Sequence, residues 1–134
     1  LGVADRIVWH GESTDEALIA TVANSCKVFV YPGAVGLSLI HGLAYGLPAI
    51  VHDNRWKHMP EIAALRPGVN GATFRYGDVT SLAEVIRGIL DRPDGLERMS
   101  KEALNTTEKS FNTADMASRF VSALTSLEPN LKLR

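Results

Sequence analysis

Gly33, Ala34 and Gly36 lie between an apolar run, Lys27 to Tyr31, and a stretch of helical period that starts near Gly36. Free N–H groups at a helix start, with the helix dipole behind them, attract an anion. Small residues there let a phosphate reach the backbone. The chemistry on offer is phosphate binding at Gly36 and Leu37. A tight turn that simply needs glycine fits the same residues. A helix from Gly36 puts Leu37 and His41 on one face, one turn apart. His41 can then hydrogen-bond a hydroxyl of whatever the phosphate carries.

His41, His52 and His58 match no zinc-binding spacing, so no metal is expected. His52 and Asp53 end an apolar run, where they either touch a ligand or merely begin a loop. Glu61 follows Pro60 in the first turn of a short helix, a position that favours a carboxylate electrostatically. Arg55, Trp56 and Lys57 form a basic and aromatic cluster that fits a ligand, a partner domain or solvent equally well. No nucleophile stands out. Cys26, the one cysteine, is expected to pack in the interior, and a reducing, cytoplasmic setting is the default.

The elements that must position these residues follow from periodicity. Arg6 to Trp9 reads as a strand, with Trp9 in the core. Ser13 and Glu16 have the spacing of a capping box, ahead of a helix carrying Leu18, Ile19, Val22 and Ala23. Lys27 to Tyr31 is a second strand, nearly all apolar, as when helices cover both sheet faces. Leu37 to Tyr45 is a helix ended by Gly46, and Pro48 to His52 is a third strand. Met59 to Leu65 is a short helix, and Ala72 to Phe74 a short extended piece. Three helices close the chain, at about Thr80 to Asp91, about Gly95 to Ser110, and from Asn112 or Thr113 onward. The stripes Val85 to Leu90 and Met116 to Leu124 are expected in the core.

Strands alternating with helices argue for a parallel sheet with right-handed crossovers. Such sheets bind ligands at the carboxyl ends of their strands. That places three loops on one rim: His10 to Ser13, Pro32 to Gly36, and His52 to Asn54.

Bulk properties narrow the classes. The chain has 134 residues, 46% of them hydrophobic and 22% charged, with a net charge of −1. That suits one compact domain, and no basic face points to nucleic acid. No apolar run reaches the length of about 18 residues that would suggest a membrane span. A Gly-x-Gly-x-x-Gly opening a helix, which would favour a dinucleotide enzyme, is missing. The start at Leu1, without Met, is read as a domain cut from a longer chain. Residues 1–128 are taken as that domain and 129–134 as a loose tail.

The order of these motifs resembles the family 4 retaining glycosyltransferases of GT-B fold. Gly36-Leu37 and Gly46-Leu47-Pro48 match that family's Gly-Leu and Gly-x-Pro. Val8 to Gly11, Asp15 to Leu18, Pro60-Glu61-Ile62 with Gly71, and Gly77-Asp78 are similar to its flanking segments. The resemblance spans roughly residues 3–125. It implies the C-terminal, Rossmann-like parallel-sheet half of a GT-B enzyme, with C-terminal helices. It implies that Gly36 and Leu37 bind the diphosphate of a nucleotide-sugar donor. Ser13 and Asp15 would then lie near the base, and Gly33 and Val35 beside the sugar. The donor is a substrate, and no cofactor is expected. An N-terminal acceptor domain of the same protein is the implied partner, along with a cell-surface glycan pathway and peripheral membrane contact through that other half. The anomeric outcome would be retention, with this half alone inactive. The family's two glutamates, for the sugar and the ribose, fall here on Gly33 and His41. A sub-group with a similar Pro-Gly-x-Val-Gly-Leu stretch and a later His at the His41 position makes a variant enzyme the expectation. A non-catalytic nucleotide-binding or assembly module is the alternative.

Overall fold

The computed structural model describes residues 2–127. The tail expected at 129–134 lies outside them. A 3-10 turn at Ala4–Arg6 is followed by helix α1 (Glu16–Ser25), strand β1 (Phe29–Tyr31), helix α2 (Leu37–Ala44) and strand β2 (Ala49–His52). Two 3-10 turns, Arg55–Lys57 and Pro60–Ala64, lead to strand β3 (Gly71–Phe74). Helices α3 (Val79–Leu90), α4 (Pro93–Lys109) and α5 (Thr113–Leu127) complete the chain. The strands form one parallel sheet in the order β1-β2-β3. The chain is therefore α/β, as its alternating pattern predicts.

Strand β2 is central, and all four of its residues are buried. Side chains alternate across a sheet, so Ala49 and Val51 feed one core and Ile50 the other. On the first face they meet Val35, Leu39 and Leu43, with Ala64 and Leu65 from the Pro60–Ala64 turn and its end. On the second, Ile50 meets Phe74 and Ile89, with Leu82, Val85 and Ile86 of α3 packed around them. Helix α4 serves both sides, giving Ala103 to the first cluster and Leu96 and Met99 to the second. The stripe expected on α3 is thus in the core, apart from Leu90, which is exposed.

Two glycines are required by geometry. Gly46 ends α2 with φ +70°, the left-handed conformation that closes helices. Gly71 opens β3 against β2. A Cβ there would stand 2.8 Å from Leu65 Cδ1 and 2.9 Å from the Ala49 nitrogen, and would overlap the Ala49 carbonyl oxygen. The two strands can meet at that register only without a side chain.

Four expectations are corrected. Arg6 to Trp9 is not a strand. Ile7, Val8 and Trp9 are exposed, with Trp9 87% accessible. Strand propensity reflects fit to a half-buried pleated surface, and this run meets none. Cys26, expected inside, is exposed just after α1. The Ser13/Glu16 capping box does not form. Asp15 caps α1 instead, its Oδ1 accepting from Ala17 N at 2.9 Å and Leu18 N at 3.3 Å, while Ser13 Oγ accepts from Asp15 N. The short helix expected at Met59 to Leu65 is present as a 3-10 helix, Pro60–Ala64, with Pro60 at its start. Finally, α5 buries none of its residues, and Met116 is 67% exposed. A helical period shows that a helix is amphipathic, not that anything covers its apolar face.

Candidate functional site: the start of α2 and the rim of the sheet

The carboxyl end of β1 leads through Pro32 to Gly36 into α2. Gly36 is the N-cap residue and supplies no side chain to the first turn. The first N–H groups of an α-helix lack the usual intrahelical partners; in α2 Leu39 N–H turns back to Gly36 O at 2.9 Å, which leaves those of Leu37 and Ser38 to face a ligand. Gly33, Ala34 and Leu37 are exposed around them. Val35 is different, for its side chain is fully buried in the first core cluster.

The segment after β2 holds this turn from behind. Met59 N–H donates to Val35 O at 3.0 Å. Val35 N–H donates to His58 Nδ1 at 3.1 Å, and His58 Nε2 lies 2.9 Å from His52 O. The imidazoles of His52 and His58 stack at 3.8 Å. A Cβ on Gly36 would come within 3.3 Å of Met59 Cγ and 3.9 Å of Glu61 Oε2. Glu61 Oε2 is buried without a hydrogen-bond partner among the described residues. Glu61 therefore does more than start a helix: its carboxylate reaches the α2 start from the side of the core.

His52 ends β2 at 2% exposure, with no hydrogen-bond partner for Nδ1 among the described residues. Burial lowers its pKa, and so do the neighbouring charges of His58 and Lys57, while Asp53 opposes them. His52 is thus an enclosed ring whose charged form is disfavoured. Asp53 is exposed, and its Oδ1 accepts Tyr76 N–H at 3.0 Å, tying the β2 rim to the loop after β3. A cleft of about 240 Å³ opens here, with His52, Asp53, Arg55 and His58 in its wall. Lys57 leans over Tyr76, its Nζ 3.1 Å from the phenol oxygen, and Trp56 is 93% exposed.

His41 projects from α2 toward α1. Its Nε2 is 3.6 Å from Glu16 Oε2, and the Tyr45 hydroxyl donates to the same oxygen at 3.3 Å. Desolvation and then the Glu16 carboxylate raise the Tyr45 pKa. The start of α1, with Asp15 and Ser13, is thereby brought beside the His41 face of α2. The caps already engage Asp15 Oδ1 and Ser13 Oγ. With no strand at Arg6 to Trp9, the His10 to Ser13 loop is not a strand end. It borders an apolar groove of about 330 Å³ between α1 and β1, lined by Leu18, Val22, Val28 and Val30. The three loops expected on one rim are thus two, joined by the start of α1.

The model of the family described as "Glycosyl transferases group 1" matches residues 1–92, more than half the chain. The chain belongs to that family. The match takes in the α1 start, the α2 turn and the His52 rim. Among solved structures, this glycosyltransferase domain is similar to sucrose-phosphate synthase from Thermosynechococcus elongatus. The TM-score is 0.77 at 23% identity, over 93% of this chain and 31% of that one. The similarity shows the fold, a Rossmann-like half of a GT-B enzyme. The chain spans about a third of that protein's length. No curated protein matches the chain.

His58 and Asn70 are structural determinants that the sequence alone does not single out. Asn70 is fully buried. Its Nδ2 donates to Ala64 O and Thr106 Oγ1, both at 2.9 Å, and its Oδ1 accepts Arg66 N–H at 2.7 Å. It locks the loop before β3 onto α4. The only hint is the type: a buried Asn beside a glycine at a strand start needs three partners. Among the described residues no group of three or more His, Cys, Asp or Glu is gathered for a metal ion. No described helix is long and apolar enough to cross a membrane.

Proposed function

We propose that this domain binds the nucleotide-diphosphate-sugar donor of a glycosyl transfer, with the diphosphate on the amino end of α2. The observation that carries the reading is the start of α2 at Gly36, without a side-chain cap, set after the carboxyl end of β1 and held from behind by residues 58 and 59. The helix dipole and free N–H groups would stabilise charge as the bond from the anomeric carbon to phosphate oxygen breaks. The sugar passes to an acceptor hydroxyl, whose proton leaves, and the nucleoside diphosphate departs. His41, beside the α1 start, is assigned to a ribose hydroxyl. Ser13 and Asp15 are assigned to the base and Gly33 to the sugar, while Val35, engaged through its side chain, N–H and carbonyl, anchors the turn beside it. His52 and Asp53 on the neighbouring rim are assigned to donor or acceptor.

The resemblance noted above supports retention of anomeric configuration, an acceptor domain elsewhere in the protein, and a cell-surface glycan as product. The lone cysteine supports a reducing, cytoplasmic setting, with any contact with the membrane made through that other domain. On this reading the isolated chain does not catalyse transfer.

The test is calorimetric titration of the intact protein with UDP, GDP, ADP and their glucose conjugates. One base series should bind, and His41→Ala should weaken it several-fold without lowering Tm. If none of them binds the wild-type protein, the donor reading fails. A second reading, a nucleotide-binding module without transfer activity, is favoured by one observation: His41 and Gly33 stand where the resemblance calls for glutamates. Nucleotide binding with no transfer from any donor tested would support it.

A further inference from the structure

His58 lies between the two 3-10 turns, half-buried, and both of its ring nitrogens are engaged. A backbone N–H can only donate, so Nδ1, 3.1 Å from Val35 N, must accept. A carbonyl can only accept, so Nε2, 2.9 Å from His52 O, must carry the proton. The two contacts require one neutral tautomer. Through it, a single ring joins the backbone after β1 to the backbone at the end of β2. Met59 N–H closes the same link from the other side of Val35. Val35 is thereby fixed through its N–H, its carbonyl and its buried side chain. Gly36 and Leu37, the next two residues, begin α2 from that fixed point.

We propose that His58 is a positioning residue for donor binding, setting the α2 start through its hydrogen bond to Val35 N–H. The inference rests on the donor reading above. A site that stabilises a diphosphate by backbone N–H groups depends on their being fixed before the ligand arrives. A glycine-bearing turn such as Pro32 to Gly36 has little stiffness of its own. His58 supplies it from outside the ligand's footprint, by one bond to the residue preceding the helix.

Two substitutions divide the ring. His58→Asn places its amide oxygen near the Nδ1 position, keeping the acceptor for Val35 N–H and losing the donor to His52 O. His58→Gln reaches the Nε2 position, keeping that donor and losing the acceptor. Both remove the stack on His52, so stability lost with the ring is common to the pair. In the intact protein the readouts are hydrogen exchange of peptides spanning Tyr31 to Leu39 and calorimetric affinity for UDP, GDP and ADP. Peptides from Val79 to Leu90 report global opening.

The expected result is at least tenfold weaker binding of the preferred diphosphate by His58→Gln, with faster exchange confined to the Tyr31 to Leu39 peptides. His58→Asn should stay within about threefold of wild type in affinity, a difference of under ~1 kcal/mol. Equal losses in the two variants, or unchanged exchange at Tyr31 to Leu39 in His58→Gln, overturn the positioning role while wild-type binding leaves the donor site standing. Failure of the wild-type protein to bind any of the three overturns the donor reading itself.

Discussion

The imidazole of His52 stacks on that of His58 at a centroid distance of 3.8 Å and an interplanar angle of 19°. The His52 ring also meets Phe74 and Tyr76 edge-on. Burial first, and then the neighbouring His58, lower the His52 pKa.

The sign of the pH dependence follows. The folded-state pKa of His52 is lowered, by burial first, then by His58 and Lys57, against Asp53. Its contribution to stability is fully present above the unfolded histidine value of about 6.5. It is lost as pH falls through the lower folded value, because the unfolded chain takes up the proton first. Thermal melts from pH 8 to pH 5 should show Tm level down to about pH 6.5 and then falling. His52→Phe, which keeps an aromatic ring against Phe74, should flatten the histidine part of that fall. An unchanged slope in the variant would remove His52 as its source.

Asn70 offers a sharper test of what holds the loop before β3. Truncation to Ala strips these partners from Ala64 O and Arg66 N–H, while Thr106 Oγ1 keeps Arg66 Nη2 and Glu102 O. Leaving buried polar groups unsatisfied costs about 1–3 kcal/mol, so Asn70→Ala should lose roughly 3 kcal/mol in urea unfolding. Asn70→Asp retains an acceptor for Arg66 N–H but no donor for the other two, and should also be destabilised. Nothing places Asn70 near the α2 start, so donor affinity of the folded fraction should be unchanged.

How far the sequence discloses this arrangement depends on whether a residue's role is local. Ala49 to His52 is legible as a buried strand because four consecutive residues are buried whatever the register. The α3 stripe is legible because Leu82, Val85, Ile86 and Ile89 recur at helical spacing over a covered face. Trp9 and Met116 mislead for a common reason: an apolar side chain shows what it would gain by burial, not whether a surface is there to bury it. Asp15 displaces the expected Ser13/Glu16 cap because the two residues compete for adjacent N–H groups, and Asp15 reaches both Ala17 and Leu18. His58 is illegible from the chain alone. Its partners are a backbone N–H 23 residues away and a backbone carbonyl six away, and backbone groups leave no mark on residue type.

Gly71→Ala tests the register of the central strand pair. Its Cβ would press on Leu65 Cδ1 at 2.8 Å and on the Ala49 backbone. Overpacking in a closed core costs about 1–3 kcal/mol. Backbone yields less than a side chain, so the upper end applies. Urea unfolding should show a loss of about 3 kcal/mol, whereas Gly88→Ala on α3, where a Cβ meets nothing within 4 Å, should be neutral or stabilising by up to about 1 kcal/mol. Equal effects at the two positions would mean that β2 and β3 do not meet as described.

Gly33→Glu asks whether the departure at the sugar position is steric or chemical. Gly33 is exposed, has no positive φ, and an added Cβ would meet only the Tyr31 ring, at 3.4 Å from Cε1. The fold therefore does not demand glycine here, and the variant should melt within the ~0.5 kcal/mol typical of surface changes. A carboxylate at that point can accept hydrogen bonds from sugar hydroxyls. If a donor sugar lies over Gly33, the affinity of Gly33→Glu for a nucleotide sugar should rise relative to its affinity for the matching nucleoside diphosphate. Carboxylate repulsion should weaken both through the shared diphosphate, so the ratio is the quantity to read. A ratio equal to that of the wild-type protein would place the sugar elsewhere on the rim, with the His52–Asp53 cleft as the remaining position for it.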